Sequence, residues 1–219
     1  KRLKINIGGV SKLSKERLLD ELKKITKLEK LEKLSKDKSS LELISLIFPE
    51  LKNLNIFAKL NSIQKEILKK NDFIFLLSLM IIDGTDNADY FLYKFNMSKK
   101  NQKRIKIIDN FYKEKINSKT FTEGNLNRIF YYNGIEALID ILNFKVLKSK
   151  NFDKKILELI KSYQSKPLPK MPIDADLLMT KYKIPQGKML GDKLKKIEEE
   201  WVNNGFDISS AKLETIVKN

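Results

Sequence analysis

Apolar residues recur every three to four positions along most of the chain, the period of helices that bury one face. Leu18, Leu19, Leu22 and Ile25 form the first such stripe, opened by Ser14 as an N-cap and running to about Lys24. Leu28, Leu31 and Leu34 continue the pattern with Lys and Glu between them. Ser39 with Glu42 reads as a capping box for a short helix carrying Ile44 and Ile47, and Pro49 ends it or starts the next. Asn61 and Asp72 stand where caps belong for the segments that follow. FIFLLSLMII (residues 73–82) is the most apolar stretch and in isolation would suit a buried strand. Its Leu and Met content, the cap at Asp72 and the Asp83-Gly84 stop favour a buried central helix. Asp86, Ser98, Thr122 and Asn151 are the expected caps of four later helices, and Gly134 separates two helical stretches.

The pattern then breaks at KPLPKMP, where Pro167, Pro169 and Pro172 make a stiff extended linker. Beyond it, Asp174 to about Tyr182 and Lys188–Asn203 read as two helices joined by Ile184-Pro185-Gln186-Gly187, with Gly205 stopping the second. The expected fold is all-α, an irregular bundle of about ten to thirteen short helices with a small helical-hairpin tail. The expected domains are a helical body at 1–165, a proline-rich linker at 166–173 and a tail at 174–219.

Composition narrows the chemistry. Hydrophobic residues at 42% and charged residues at 33% describe a globular chain. Cys and His are absent, which excludes disulfides, thiolate or imidazole metal sites, thiol nucleophiles and His-based triads. No apolar run is long enough for a transmembrane helix, and no signal peptide is visible, so the expected setting is cytoplasmic. Lys plus Arg number 44 against 28 Asp plus Glu, a net charge of +16. Only four of these cations are Arg, so an AT-rich genome accounts for part of the lysine count. The excess over acid still points to a polyanionic partner. The chain opens on Lys1, which is compatible with a longer protein.

Candidate chemistry is sparse. Asp174 and Asp176 form a D-x-D, which on a strand would align two carboxylates for metal binding. At a helix start the same spacing does not align them, and capping by Asp174 is the reading favoured. Asp83, Asp86 and Asp89 read chiefly as acidic caps where two helices meet, with oxygen-only magnesium binding the alternative. Three segments are strongly basic: 1–36, 94–119 and 145–170. Lys99, Lys100, Lys103 and Arg104 cluster at the start of the helix capped by Ser98, where backbone amides add to the attraction for a phosphate. A solvated surface set by codon bias is the competing account. Gly187 and Gly191, with Lys188, Lys193, Lys195 and Lys196 nearby, read equally well as a phosphate cradle or as tight helix packing. Tyr131 and Tyr132 beside Arg128 offer at most one free ring for stacking, Phe130 belongs to the core, and Trp201 anchors the tail.

Three segments resemble one family. KLSKERLLDELKKI (12–25), NRIFYYNGIEALIDIL (127–142) and PLPKMPIDADLLMTKYKIPQGKMLGDKLKKIEEEW (167–201) are similar, in order, to segments of class II tRNA nucleotidyltransferases and bacterial poly(A) polymerases. The third departs at Ala175, where the family usually has Gly. The resemblance implies helical neck, body and tail regions that grip RNA. The motifs of the catalytic head are not found, so this chain is expected to hold no catalytic or metal-binding residue. Mg2+ and ATP or CTP are expected for the head, which would be its partner together with the 3′ end of tRNA or another RNA. By the same resemblance, Glu16 and Arg17 form an ion pair that orients helices, Arg17 lying near RNA, and Arg128 and Tyr131 pack. Asp176 orients the hairpin, while Gly187 and Gly191 approach backbone phosphates. A helical scaffold without a nucleic-acid role is the alternative.

Overall fold

The computed structural model describes residues 9–10, 12–114, 121–149 and 154–218. Among them are twelve α-helices and no strand: α1 (Lys15–Ile25), α2 (Leu28–Lys36), α3 (Lys38–Ile47), α4 (Ser62–Lys70), α5 (Phe73–Ile81), α6 (Asn87–Lys94), α7 (Lys99–Glu114), α8 (Glu123–Lys148), α9 (Lys154–Ser165), α10 (Ala175–Tyr182), α11 (Lys188–Asn203) and α12 (Ser210–Lys218). A 3₁₀ segment, Leu54–Ala58, precedes α4. The fold is therefore the expected all-α bundle. No described helix is long and apolar enough to cross a membrane.

Compactness divides the chain into one unit of residues 1–118 and 140–156 and another of 119–139 and 157–219. The proline-rich stretch thus falls within the second unit. The first unit is organised by α5. Residues 74–82 are all buried, because no face of FIFLLSLMII is polar. Asp72 starts the helix by accepting from the Phe75 amide at 3.0 Å. The other end has no polar side chain of its own to satisfy the final carbonyls, and buried orphan carbonyls are costly. Distant residues supply the donors. Asn53 donates to the Ile82 carbonyl at 2.8 Å, Asn87 to the Ile81 carbonyl at 2.7 Å, and Lys148 to the Ile82 carbonyl at 3.2 Å. The helices α6 and α7 pack against α5 and against each other.

Local chemistry decides most helix starts. Ser14 accepts from the Arg17 amide, and Asn61 with Gln64 forms a full capping box for α4. Two expected caps are corrected. Asp37 caps α3 in place of Ser39, accepting from both the amide and the hydroxyl of Ser40. Asp86 makes no capping bond; Thr85 Oγ1 instead accepts from the Asn87 amide at 3.2 Å. The expected cap at Asn151 lies outside the described residues. Gly134 interrupts α8 with φ 83° and ψ 172°, a conformation closed to residues with a Cβ.

In the second unit, Phe130 is sandwiched edge-on by Tyr163 and Phe206 at centroid distances of 5.3 and 6.3 Å. Trp201 packs edge-on against Tyr131 and Phe206. The tail core comprises Ile173, Leu178, Ile184, Leu190, Ile197 and Leu213. Leu213 comes from α12, so the tail is a hairpin plus a third helix. Lys193 holds that helix. Its ammonium is turned inward and donates to the Ile216 and Val217 carbonyls at 3.1 and 2.6 Å, where a cation offsets the helix dipole.

Candidate nucleic-acid interface

Ser98 starts α7 by accepting from the Asn101 amide, and the sequence KKNQKRIK then splits by helical period. Ile105 and Ile108 turn inward, and Lys99, Lys103 and Lys106 repeat along the solvent face. Lys99, Lys100 and Lys103 are exposed, and among the described residues no carboxylate pairs with them. Three positive charges thus stand beside the free amides of a helix start, an arrangement suited to phosphate oxygens.

Arg104 is a correction to this set. Its Nε and Nη2 donate to Asp140 at 2.6 and 3.1 Å, and Nη1 donates to Asp72 at 2.6 Å. The bond to Asp140 leads the effects that push the guanidinium pKa further up. Planar bidentate pairing with a carboxylate leaves little of the fork for a phosphate.

A groove of about 630 Å³ runs beside the lysine face, lined by Lys15 and Glu16 of α1, by Asp89 and Tyr93 of α6, and by Gln102 and Lys106 of α7 among others. Glu16 and Arg17 are exposed, and among the described residues no ion pair joins them. The expected orienting pair is therefore not formed among the described residues, since sequence neighbours on a helix do not face each other.

In the second unit, Gly187, Lys188, Gly191 and Lys195 lie on one exposed side of α11, with Leu190, Ile197 and Trp201 on the other. Gly187 is the N-cap with φ 146°, and a Cβ on Gly191 would meet nothing within 4 Å. Gly191 is thus open toward solvent and not squeezed against a neighbouring helix. Lys193 leaves the expected basic group for the reason already given. Tyr131 and Tyr132 share one acceptor, donating to Glu198 at 2.9 and 3.3 Å. Burial first, then the bond to Glu198, pushes the Tyr131 hydroxyl up to about 12. Tyr131 packs, as its contact with Trp201 shows, whereas Arg128 is exposed. Asp176 sits exposed in the first turn of α10, and Trp201 is 3% exposed.

The acidic residues do not fit a metal centre. Asp174 is occupied as the cap of α10, accepting from the Leu177 amide at 2.8 Å. Asp109, Asp86 and Asp89 surround Lys113, whose ammonium lies 2.9, 3.4 and 3.6 Å from them. An ammonium therefore takes the place a metal ion would need. The bond to Asp109 leads the effects that raise the Lys113 pKa. Burial raises that of Asp109 against the pull of Lys113. Among the described residues no group of three or more His, Cys, Asp or Glu is placed to hold a metal.

Sequence reasoning missed Tyr93, which is 83% exposed. A signal was present. Tyr90 and Tyr93 are three residues apart and fall off the stripe that Phe91, Leu92 and Phe95 bury. No curated protein matches the chain. The family model of tRNA nucleotidyltransferase domain 2 matches residues 64–216. That span includes two of the three segments singled out in the sequence, and residues 12–25 lie outside it. With more than half of its length matched, the chain belongs to the tRNA nucleotidyltransferase family, as a carrier of that family's domain 2.

Proposed function

We propose that this chain is the RNA-gripping part of a cytoplasmic nucleotidyltransferase that adds nucleotides, as CCA, a terminal A or poly(A), to RNA 3′ ends. Bond formation belongs to a nucleotidyltransferase head of the class II type, which would bind Mg2+ and ATP or CTP. The family supplies RNA as substrate. The observation that carries the gripping role is the solvent face of α7, where Lys99, Lys100 and Lys103 stand exposed and, among the described residues, no carboxylate pairs with them. In the second unit the open side of α11 offers Gly187, Lys188, Gly191 and Lys195 to a phosphate backbone. Such contacts read shape and charge and leave sequence unread. Their task is to position the acceptor stem so that its end reaches the catalytic group elsewhere.

The test is tRNA binding by fluorescence anisotropy between about 50 and 200 mM salt, with and without Lys99→Glu, Lys100→Glu and Lys103→Glu combined. Each lost phosphate contact lowers the slope of log affinity against log salt by about 0.7–0.9, so the triple variant should lose about two to three units of slope. An unchanged slope would remove α7 from the interface. Failure of the wild-type chain to bind tRNA at low salt would favour a helical scaffold.

A further inference from the structure

The groove beside α7 has a composition that phosphate gripping alone does not use. Its wall on α6 is Tyr93, which is 83% exposed. A tyrosine ring left in water at that level contributes little to packing and is free to stack on a ligand. The helix α7 contributes Gln102 and Lys106 to the lining. Lys106 falls on the same solvent face as Lys99 and Lys103, so the row of cations leads directly into the groove. Gln102 donates to the Met97 carbonyl at 2.7 Å, which fixes its amide at the groove's edge. Asn96, another lining residue, is held with φ 44° by the turn between the two helices. Lys15 of α1 adds a second cation to the lining. The volume of about 630 Å³ lies within the ~300–1,000 Å³ of small-ligand sites.

We infer that this groove takes one unpaired nucleotide of the bound RNA, its base stacked on Tyr93 and its phosphate between Lys106 and the lysines of α7. The inference rests on the proposed RNA-gripping role and adds to it a site for a base that is not in the duplex. Aromatic rings accept any base face, so the site favours single-stranded nucleotides without choosing among them. The two carboxylates of the groove balance its two cations. Asp89 is shared between Lys106 at 3.2 Å and Lys113 at 3.6 Å, and Glu16 belongs to the same lining as Lys15. A net-neutral floor beside a cationic ridge suits a base next to a phosphate better than a second phosphate would.

The experiment compares three RNA hairpins of identical stem: blunt, with a short unpaired 3′ overhang, and with the same overhang lacking its bases. Binding to the whole chain is measured by anisotropy for wild type, Tyr93→Phe and Tyr93→Ala. The wild type should prefer the base-bearing overhang over the abasic one by about five- to tenfold, the low end of stacking on one aromatic ring. Tyr93→Phe should keep that preference, and Tyr93→Ala should abolish it while leaving blunt-hairpin binding unchanged. An equal affinity of wild type for base-bearing and abasic overhangs, with the blunt hairpin still bound, overturns the base site and leaves the gripping role intact. A preference that survives Tyr93→Ala also overturns it. Failure of all three hairpins to bind overturns both readings together.

Discussion

Arg104 tests whether its charge serves the fold or the RNA. Replacing it with Met keeps the length of the stem and removes three charge-assisted hydrogen bonds, at 2.6, 3.1 and 2.6 Å. The bond to Asp72 lies at the surface, where the carboxylate is 56% exposed, and such pairs contribute about 0–1 kcal/mol. The two bonds to Asp140 weigh more, because that side chain is only 5% exposed. Breaking a buried pair from one side costs about 3–5 kcal/mol. The Arg104 side chain keeps 31% of its exposure, so water reaches part of the site and the loss should be nearer about 2–4 kcal/mol. Arg104→Lys keeps the charge and loses the fork, at about 1–2 kcal/mol. The assay is urea unfolding followed by far-UV dichroism, read as a shift in midpoint at constant slope. Asp140→Leu combined with Arg104→Met should recover part of the loss, because two apolar groups leave no buried carboxylate behind. tRNA affinity of folded Arg104→Lys should stay within about twofold of wild type. If Arg104→Met unfolded at the wild-type midpoint while Arg104→Lys lost tRNA affinity, the assignment of this residue to the fold would be wrong.

Lys148 should give the stability a rise with pH. Burial lowers its pKa to about 8 from 10.5, so between those values the unfolded chain holds more protons and stability climbs as pH increases. With solvent screening that climb is about 1–2 kcal/mol, and Lys148→Met should flatten it; the same rise in both proteins refutes the assignment. The two glycines of α11 should respond with opposite sign to alanine. Gly187→Ala forces a Cβ onto φ 146° and should destabilise by about 1–3 kcal/mol, whereas Gly191→Ala enters open space at the end of the first turn of α11 and should stabilise by about 0.5–1 kcal/mol in thermal or urea unfolding. Loss of tRNA affinity in the more stable Gly191→Ala variant would mark a phosphate approaching that position, and unchanged affinity would exclude it.

Helices were legible in the sequence wherever the deciding chemistry was local. Ser14, Asn61, Asp72 and Asp174 each accept from an amide three residues ahead, and that distance is written in the chain itself. The shift from Ser39 to Asp37 shows the limit of motif spacing, since both fit a helix start and only the backbone geometry chose between them. The third tail helix was missed although Leu213, Ile216 and Val217 make a stripe, because that stripe is one turn long and follows the Gly205 stop. At the candidate site, the lysine cluster of α7 was visible as a run of charge. What separated Arg104 from its neighbours was not, because its partners lie 32 and 36 residues away. Lys193 escaped for the same reason, its acceptors being 23 and 24 residues downstream. Charge can be counted along a chain, but its neutralisation is a property of the folded molecule.

The inward turn of Lys193 sets its amine apart from the exposed lysines of this lysine-rich protein. Acylating reagents will mark the wet lysines quickly and reach this one only when the last helix lifts away. Mass-spectrometric footprinting of that single nitrogen therefore reports the opening of the C-terminal helix, a clock built into the chain that no attached dye is needed to read.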